Sequence, residues 1–239
     1  MTYENIIEDY GQSIDGEEVV FLRREPRSER LLVSLATHNN NGKYASLVSY
    51  SNRFKGDVLF LADRSNSYYL QNDGGVRYKG IISKFVKGYS SKNIVFSGSS
   101  MAGYAALDMA LFFNSNAIVN NPQINLDVTM LHSWPELLAN IQKIGKRRNI
   151  EELSYVSKNR SSVVAALFGR HEIDSANLAS FFEIFIKNPG TGLIFGHCHD
   201  AQHKYYYPSV DDFFTMLNRV IEQRNLLDNI NKDIPIVDV

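Results

Sequence analysis

Short runs of consecutive apolar residues alternate along the chain with longer segments in which apolar residues recur every three or four positions. Continuous apolar runs are typical of strands buried on both faces of a parallel sheet, and the longer period is typical of helices. The alternation predicts parallel strands joined by crossover helices. The strands are expected at residues 19–22, 31–36, 58–62, 94–97, 117–119, 163–168 and 192–195.

Six longer segments predict helices that would cover this sheet. Serine, aspartate and asparagine residues near several of their starts provide the N-caps that helices prefer. A chain of 239 residues is long enough for one α/β domain with a substantial core, so we expect residues 1–239 to form a single domain. The helices are expected at residues 78–87, 101–113, 134–144, 150–157, 176–186 and 210–226.

Charge and composition narrow the classes of function. The formal net charge is −1 at pH 7, so no overall field would draw the protein to nucleic acid or to an anionic membrane. Residues 1–15 are acidic and polar, unlike a secretory signal, and no apolar run is long enough to span a bilayer. We therefore expect a soluble, cytoplasmic protein. Cys198 is the single cysteine, which excludes an internal disulfide and a cysteine-rich metal site.

Aromatic residues are abundant, with 13 Tyr, 14 Phe and 1 Trp. Tyrosines cluster in stretches with the composition of loops, such as residues 67–70 and 205–207. Ordinary packing explains such clusters most simply, and platforms on which a carbohydrate or another ligand stacks are the alternative.

The most informative motif lies between a predicted strand and the helix that follows it. The sequence there is Gly98-Ser-Ser-Met-Ala-Gly103, which matches the nucleophile elbow, a sharp turn with a serine at its tip. The strained backbone of such a turn needs small residues two positions either side of the serine, and Gly98 and Ala102 meet that need. Ser100 is therefore the candidate nucleophile. A Gly/Ser-rich turn of a non-catalytic Rossmann-like domain is the alternative.

A serine nucleophile needs a histidine to take its proton and an acid to orient that histidine. After an elbow of this kind the chain order is serine, acid, histidine. The strand at residues 163–168 runs into Gly169-Arg-His-Glu-Ile-Asp-Ser175. Glu172 has the usual spacing after Gly169, whereas Asp174 has the commoner residue type and precedes a helix start. Both are candidates for the acid, and we favour Asp174; helix capping and a surface charge are the structural alternatives.

Three histidines compete for the role of general base. The last predicted strand ends in Gly196-His-Cys-His-Asp-Ala-Gln-His203, just before the final long helix. We predict His199, because a His-Asp pair in that loop is a frequent arrangement, with His197 second and His203 third. A metal site at these histidines would need further ligands, and the thiol of Cys198 would point the other way on an extended segment. We therefore predict no metal.

Two backbone amides are expected to hold the oxyanion of the reaction. The amide of Met101, at the helix start, would point at the space beside Ser100. The second donor normally follows an early strand, and the segment after residues 31–36 offers the amide of Thr37 or His38. A polar turn rich in asparagine is the simpler explanation of that segment.

These motifs resemble the α/β-hydrolase-fold proteins of bacterial capsule and surface-polysaccharide loci, including O-acetyltransferases that decorate capsular polysaccharide. The chain departs from the pattern of these relatives in carrying Ala102 where they usually have glycine, and in an acid loop that is two residues longer after Gly169. The matching motifs are Gly98-Ser-Ser-Met-Ala-Gly103, Asn120-Asn-Pro-Gln123, Asp174-Ser-x-x-Leu178 and His199-Asp200, which together span about half the chain.

The resemblance implies an α/β-hydrolase fold, with a mostly parallel central sheet flanked by helices. Residues 126–159 stand where this fold usually carries a small helical cap over the active site, and a solvated helix pair is the alternative. The resemblance also implies that Ser100, with His199 as base, takes an acetyl group from acetyl-CoA and passes it to a polysaccharide hydroxyl. No bound cofactor is implied. An anionic donor needs basic neighbours, and an esterase is favoured if none lies beside Ser100. The basic candidates are Arg64, Arg77, Lys143, Lys146, Arg147 and Arg148.

Three other classes of function are weighed against the transferase. An esterase or deacetylase would use the same catalytic groups and would differ in whether water is excluded from the acyl-enzyme. A non-catalytic subunit of a glycan-assembly or export system would have lost the triad, yet serine, acid and histidine stand here in the required order. A cysteine hydrolase based on Cys198 is disfavoured because no strand-to-helix elbow surrounds that residue.

Overall fold

A sheet of eight strands runs through the part of the chain that the computed structural model describes, residues 1–38, 42–155 and 161–233. Its strands are β1 (Gly11–Ile14), β2 (Glu17–Leu22), β3 (Leu31–Ala36), β4 (Asp57–Ala62), β5 (Ile94–Ser99), β6 (Asn116–Asn120), β7 (Val163–Phe168) and β8 (Gly192–His197). They are ordered β1-β2-β4-β3-β5-β6-β7-β8. β1 pairs antiparallel with β2, as β2 does with β4, and the remaining neighbours are parallel. The predicted mostly parallel sheet is confirmed.

Helices cover both faces of this sheet. In the described residues they are α1 (Tyr3–Tyr10), α2 (Leu47–Arg53), α3 (Val76–Val86), α4 (Met101–Phe112), α5 (Leu126–Leu131), α6 (Pro135–Gln142), α7 (Glu172–Lys187) and α8 (Val210–Asp233). None of these helices is long and apolar enough to cross a membrane.

Successive strand residues point to opposite faces, and this alternation divides the core into two apolar clusters. Leu31 and Val33 belong to the first cluster, which includes residues of α3, α4, α6 and α7. Leu32, between them, belongs to the second cluster, which includes residues of α1, α2 and α8. The carboxyl ends of the parallel strands therefore lie between the helices of the first cluster on one side and those of the second cluster on the other.

The helix that follows the candidate nucleophile is buried on every side. All residues from Met101 to Leu111 are buried, and the alanine-rich sequence has no polar face to turn towards water. Small side chains let this helix lie close to the strands beneath it. The predicted helix at 101–113 is thus found as α4, anchored at the centre of the fold.

Several elements differ from the sequence-based expectation. Neither β1 nor the helices α1, α2 and α5 were expected, because they are short and their sequences are largely polar or irregular in pattern. The helix expected at 150–157 is a single 3₁₀ turn at Ile150–Glu152, and residues 156 and 157 lie outside the described residues. Helix α7 begins at Glu172, four residues earlier than expected, because His171 caps it: the His171 side chain accepts the amide of Ile173.

Candidate active site

Ser100 stands at the tip of the turn between β5 and α4. Its backbone has φ 56° and ψ −121°, a conformation that a non-glycine residue keeps only where its surroundings enforce it. The Ser100 amide donates to the Asn120 carbonyl at 2.9 Å, and the Ser100 carbonyl accepts the Tyr104 amide at 3.0 Å. These two bonds hold the serine, which is 8% exposed, between the sheet and the helix.

Two glycines show why this turn needs small residues. A β-carbon on Gly98 would lie 2.2 Å from the carbonyl oxygen of Ala102, and one on Gly103 would lie 3.0 Å from Cα of Pro122. The first contact is far inside van der Waals distance, so any side chain at position 98 would force β5 and α4 apart. The methyl group of Ala102 fits because the residue across the turn from it is a glycine.

The histidine that meets an acid at this edge of the sheet is His203. Its Nδ1 atom lies 2.5 Å from Oδ1 of Asp174, and Asp174 is 1% exposed. The Nε2 atom of His203 and the Oδ2 atom of Asp174 are buried and have no hydrogen-bond partner among the described residues. General-base catalysis on a serine requires a histidine held through Nδ1, with Nε2 turned to the serine hydroxyl. The structure shows the first of these contacts, and Nε2 makes no hydrogen bond to Ser100.

The structure does not bring His199, the predicted base, to the acid, and the prediction is corrected accordingly. Strand β8 extends to His197, and the Cys198 amide still donates to the Phe168 carbonyl at 2.7 Å. This continued pairing leaves His199 exposed. Asp200, its expected companion, forms an ion pair with Lys204. His197 is exposed as well, and the loop turns inward only at its third histidine.

Two asparagines after β6 hold this histidine loop. The Asn121 side chain donates to the Lys204 carbonyl at 2.9 Å and accepts the Gly169 amide at 2.8 Å. The Asn120 side chain accepts the Tyr206 amide at 3.2 Å. The chain just after the paired histidine is thereby tied to the ends of β6 and β7. Sequence reasoning assigned these asparagines no role, although two adjacent amides directly after an apolar strand were the available signal.

Of the two candidate acids, Asp174 lies against His203 and Glu172 lies elsewhere. Both belong to the first turn of α7. The Glu172 side chain is 75% exposed, and its Oε1 lies 2.6 Å from Nδ1 of His132. Asp174 is not the helix cap, because His171 fills that position. The geometry therefore favours Asp174 as the orienting acid.

A cavity of about 700 Å³ opens beside Ser100, and His203, Thr37 and His38 line it. The Thr37 hydroxyl donates to the Ser99 carbonyl at 2.7 Å, which ties the end of β3 to the elbow. The first amides of a helix have no partner within that helix, so the start of α4 offers donors for an oxyanion beside the serine. The predicted oxyanion segments therefore lie at the same cavity as the predicted nucleophile.

Residues at the start of α6 and within it close one side of this cavity. The Trp134 ring, which lines the cavity, has its centroid 6.1 Å from that of the His203 ring. His38 contacts the Asn140 side chain. Burial holds the pKa of His38 below its usual value, although the carboxylate of Glu136 acts to raise it. At neutral pH the His38 ring is therefore uncharged.

None of the six basic candidates is among the described residues that line the cavity. Arg64 and Arg77 pair with the glutamates of β2, and Arg148 pairs with Asp108 at 2.8 Å. Lys143 is connected to the cavity through two residues: its ammonium donates to Asn140 at 3.2 Å, and Asn140 contacts His38, which lines the cavity. The lysine that does line the cavity is one that sequence reasoning did not consider.

That lysine is Lys204, whose ammonium pairs with Asp200. This pairing raises the pKa of Lys204 above its usual value. It also means that the positive charge at the cavity is partly neutralised by a neighbour on the same loop.

Comparisons with known proteins agree with this architecture. No family model and no curated protein matches the sequence. The solved capsule O-acetyltransferase of Neisseria meningitidis serogroup A superposes with a TM-score of 0.63 at 15% identity, over 92% of this chain and 100% of that one. A glycosylation-associated protein complex from Streptococcus agalactiae gives a TM-score of 0.65 at 15% identity, over 88% of this chain and 45% of that one.

An esterase of Pyrococcus furiosus gives a TM-score of 0.56 at 16% identity, over 94% of each chain. Likeness at these identities shows the fold and leaves the activity to be argued from the site. The mostly parallel sheet, the elbow at Ser100 and these neighbours together show that the chain has the α/β-hydrolase fold.

Proposed function

We propose that the Ser100 cavity moves an acetyl group from acetyl-CoA to a hydroxyl of a bacterial surface or capsular polysaccharide. The observation that carries this proposal is the pairing of His203 with the buried Asp174 at the cavity of a strained serine. Conformational strain and a buried acid-histidine pair are costly to maintain, and they are concentrated where chemistry uses them.

The reaction has two halves. His203 Nε2 takes the hydroxyl proton of Ser100 while Oγ attacks the thioester carbonyl, and the thiol of CoA leaves with that proton. A sugar hydroxyl then attacks the acetyl-serine and gives its proton to His203. The bond from Ser100 to the acetyl carbon breaks, and Oγ recovers the proton. Asp174 orients the imidazole throughout, and the amides of Met101 and Thr37 hold the oxyanion.

One observation supports transfer to a sugar. The capsule O-acetyltransferase of Neisseria meningitidis shares its architecture with nearly all of this chain. The acceptor class is taken from that protein and from the motif resemblance.

Hydrolysis of an acylated carbohydrate is the second candidate, and the position of the basic side chains favours it. The six basic candidates do not line the cavity, and Lys204 is paired with Asp200. A donor with several phosphate charges would find little uncompensated positive charge there. An uncharged acetyl ester needs none.

The deciding experiment incubates the protein with acetyl-CoA, with and without bacterial capsular oligosaccharides, and follows free thiol and acetylated sugar together. Thiol release that needs a glycan and falls by about 10⁴-fold in Ser100→Ala establishes the transferase. Ser175→Ala, an exposed serine on α7, is the matched control and should behave as wild type. Acetate release from acetylated glycan without use of acetyl-CoA establishes the esterase, and inactivity in both assays supports the non-catalytic alternative.

A further inference from the structure

The wall of the cavity opposite Trp134 is made of aromatic residues. Tyr50, Tyr205 and Phe213 line the cavity, and we call these three residues the tyrosine wall. Tyr50 and Phe213 belong to the apolar cluster on one face of the sheet, whereas Trp134 packs against the cluster on the other face. The reacting serine therefore lies between two walls of different composition.

The tyrosine wall is held rigidly from behind. Tyr50 is 4% exposed and stacks on Phe213, with ring centroids 4.9 Å apart and planes at 11°. Its hydroxyl faces the hydroxyls of Ser46 and Tyr205. The Tyr205 ring also packs against the Tyr207 ring, with centroids 5.6 Å apart. These contacts fix the ring of Tyr205 before any ligand arrives.

Tyr205 combines a hydroxyl tied to the interior with a ring open to the cavity. The hydroxyl meets buried Tyr50, yet the residue as a whole is 47% exposed. Packing alone would favour burial of such a large apolar ring. A fixed ring whose hydroxyl is already occupied offers a ligand chiefly its aromatic face.

Tyr205 lies close in the chain to the histidine that an acceptor hydroxyl must reach. Tyr205 follows His203 by two residues, and both line the cavity. The acceptor hydroxyl must reach His203 Nε2 to give up its proton, and that atom is free of other partners among the described residues. A group resting on Tyr205 would therefore occupy the same cavity that His203 lines.

We propose that the tyrosine wall is the subsite for the sugar ring that receives the acetyl group. The apolar C–H face of a pyranose would stack on Tyr205 and present a hydroxyl towards His203. An uncharged ring is the expected ligand, since aromatic faces dominate the wall and Lys204 is already paired with Asp200. This inference rests on the proposed acyl-serine chemistry, because a sugar at the wall becomes an acceptor only if Ser100 carries an acyl group.

The test uses p-nitrophenyl acetate as donor and the methyl α-pyranosides of glucose, galactose and mannose as acceptors. Nitrophenol release measures formation of the acetyl-serine, and acetylated glycoside measures use of the acceptor. Tyr205→Leu should raise the acceptor concentration for half-maximal transfer by about tenfold, because a stacked ring is lost. Transfer is expressed relative to the nitrophenol release of the same variant, so a change in acetyl-serine formation is separated from a change in acceptor binding.

Two further variants separate stacking from packing. Tyr205→Phe keeps the ring and loses its hydroxyl, so its acceptor dependence should stay within about threefold of wild type. Phe182→Leu removes an aromatic residue of α7 that is 37% exposed and outside the cavity lining, and it should match wild type. Unchanged acceptor dependence in Tyr205→Leu, or transfer by wild type to none of the three glycosides, overturns the subsite.

A failure of the proposed function is distinguishable from a failure of the subsite. If no Ser100-dependent nitrophenol release occurs, acyl transfer is excluded and binding alone is measured. Trp134 is the single tryptophan of the chain and lines the cavity, so its fluorescence can be titrated with the same glycosides. A spectral change in wild type that Tyr205→Leu abolishes supports the subsite, and no change in wild type overturns it.

Discussion

Two aspartates in this protein are equally buried and are paired in different ways. Asp108 in α4 and Asp174 in α7 are each 1% exposed. The Asp108 carboxylate accepts from Lys79 at 3.1 Å and from Arg148 at 2.8 Å. Asp174 faces His203 through one oxygen, and its other oxygen has no partner among the described residues.

The cluster around Asp108 is a structural joint. It connects α3, through Lys79, with α4 and with Tyr155, whose hydroxyl bonds to both Asp108 and Lys79. Burial lowers the pKa of Lys79 even though Asp108 acts to raise it. The loss of hydration of the ammonium therefore outweighs its attraction to the carboxylate. Both oxygens of the Asp108 carboxylate already accept hydrogen bonds, so neither is free to orient a catalytic group. The comparison teaches that incomplete pairing, more than burial, separates the acid proposed for catalysis from a structural one.

The largest effect should come from removing the charge at the incompletely paired acid. Asp174→Asn should lower kcat by about 10⁴-fold, because the amide favours the wrong tautomer of His203 and cannot stabilise an imidazolium. Thermal unfolding should change little, since the substituted side chain keeps its shape. Turnover of p-nitrophenyl acetate measures the first effect, and calorimetry measures the second. An equally large loss of kcat in folded Asp108→Asn would remove the distinction between the two aspartates.

The complementary change is expected to act on stability. Asp108→Ala should lower the free energy of unfolding by about 3–5 kcal/mol, because Lys79 would be left as a buried cation, and Arg148 as a half-buried one, without their carboxylate. Urea denaturation measures this loss. Turnover per folded molecule should stay close to wild type, and a fall in kcat without a loss of stability would contradict the structural role.

A mixed effect is expected where the histidine loop is tied to the sheet. Asn121→Ala would leave the Gly169 amide and the Lys204 carbonyl without their side-chain partner, which should cost about 1–3 kcal/mol of stability. Turnover should also fall, by about tenfold, because a displacement of the paired histidine weakens proton transfer. A loss of stability with unchanged kcat would show that the loop keeps its geometry without this amide.

The smallest effect is expected at His199. His199→Gln should leave both kcat and stability within about twofold and 0.5 kcal/mol of wild type, as is usual for exposed side chains. His203→Gln is the matched variant, and its kcat should fall as far as that of Asp174→Asn. If the two histidine variants exchanged these outcomes, the base would be His199 and the loop would have to rearrange during turnover.

The elbow and the central strands were readable from the sequence because their signals are local. An apolar strand, small residues at fixed spacing around Ser100 and an alanine-rich helix are contiguous in the chain, and together they predict the turn that the structure shows. Position 98 must be glycine, because a β-carbon there would meet the backbone carbonyl and the β-carbon of Ala102.

The partner histidine was not readable for the opposite reason. Three histidines compete within residues 197–203, and their orientation depends on where β8 ends and on bonds from Asn120 and Asn121. Those bonds join residues more than eighty positions apart. A pattern within one short segment therefore cannot predict them. The choice between Glu172 and Asp174 was limited in the same way, because the early start of α7 decides which carboxylate faces inward.

The groups proposed for catalysis belong to parts of the molecule that should open at different rates. Helix α4 is buried on all sides, whereas β8 is the last strand of the sheet and its residues are half-buried or exposed. Segments with few buried contacts open at lower free energy than the core. Backbone amides at residues 198–206 should therefore exchange with deuterated solvent sooner than those of α4. On warming, turnover should therefore be lost at a temperature below the melting temperature. The histidine loop would open first, while the turn that carries Ser100 is still folded.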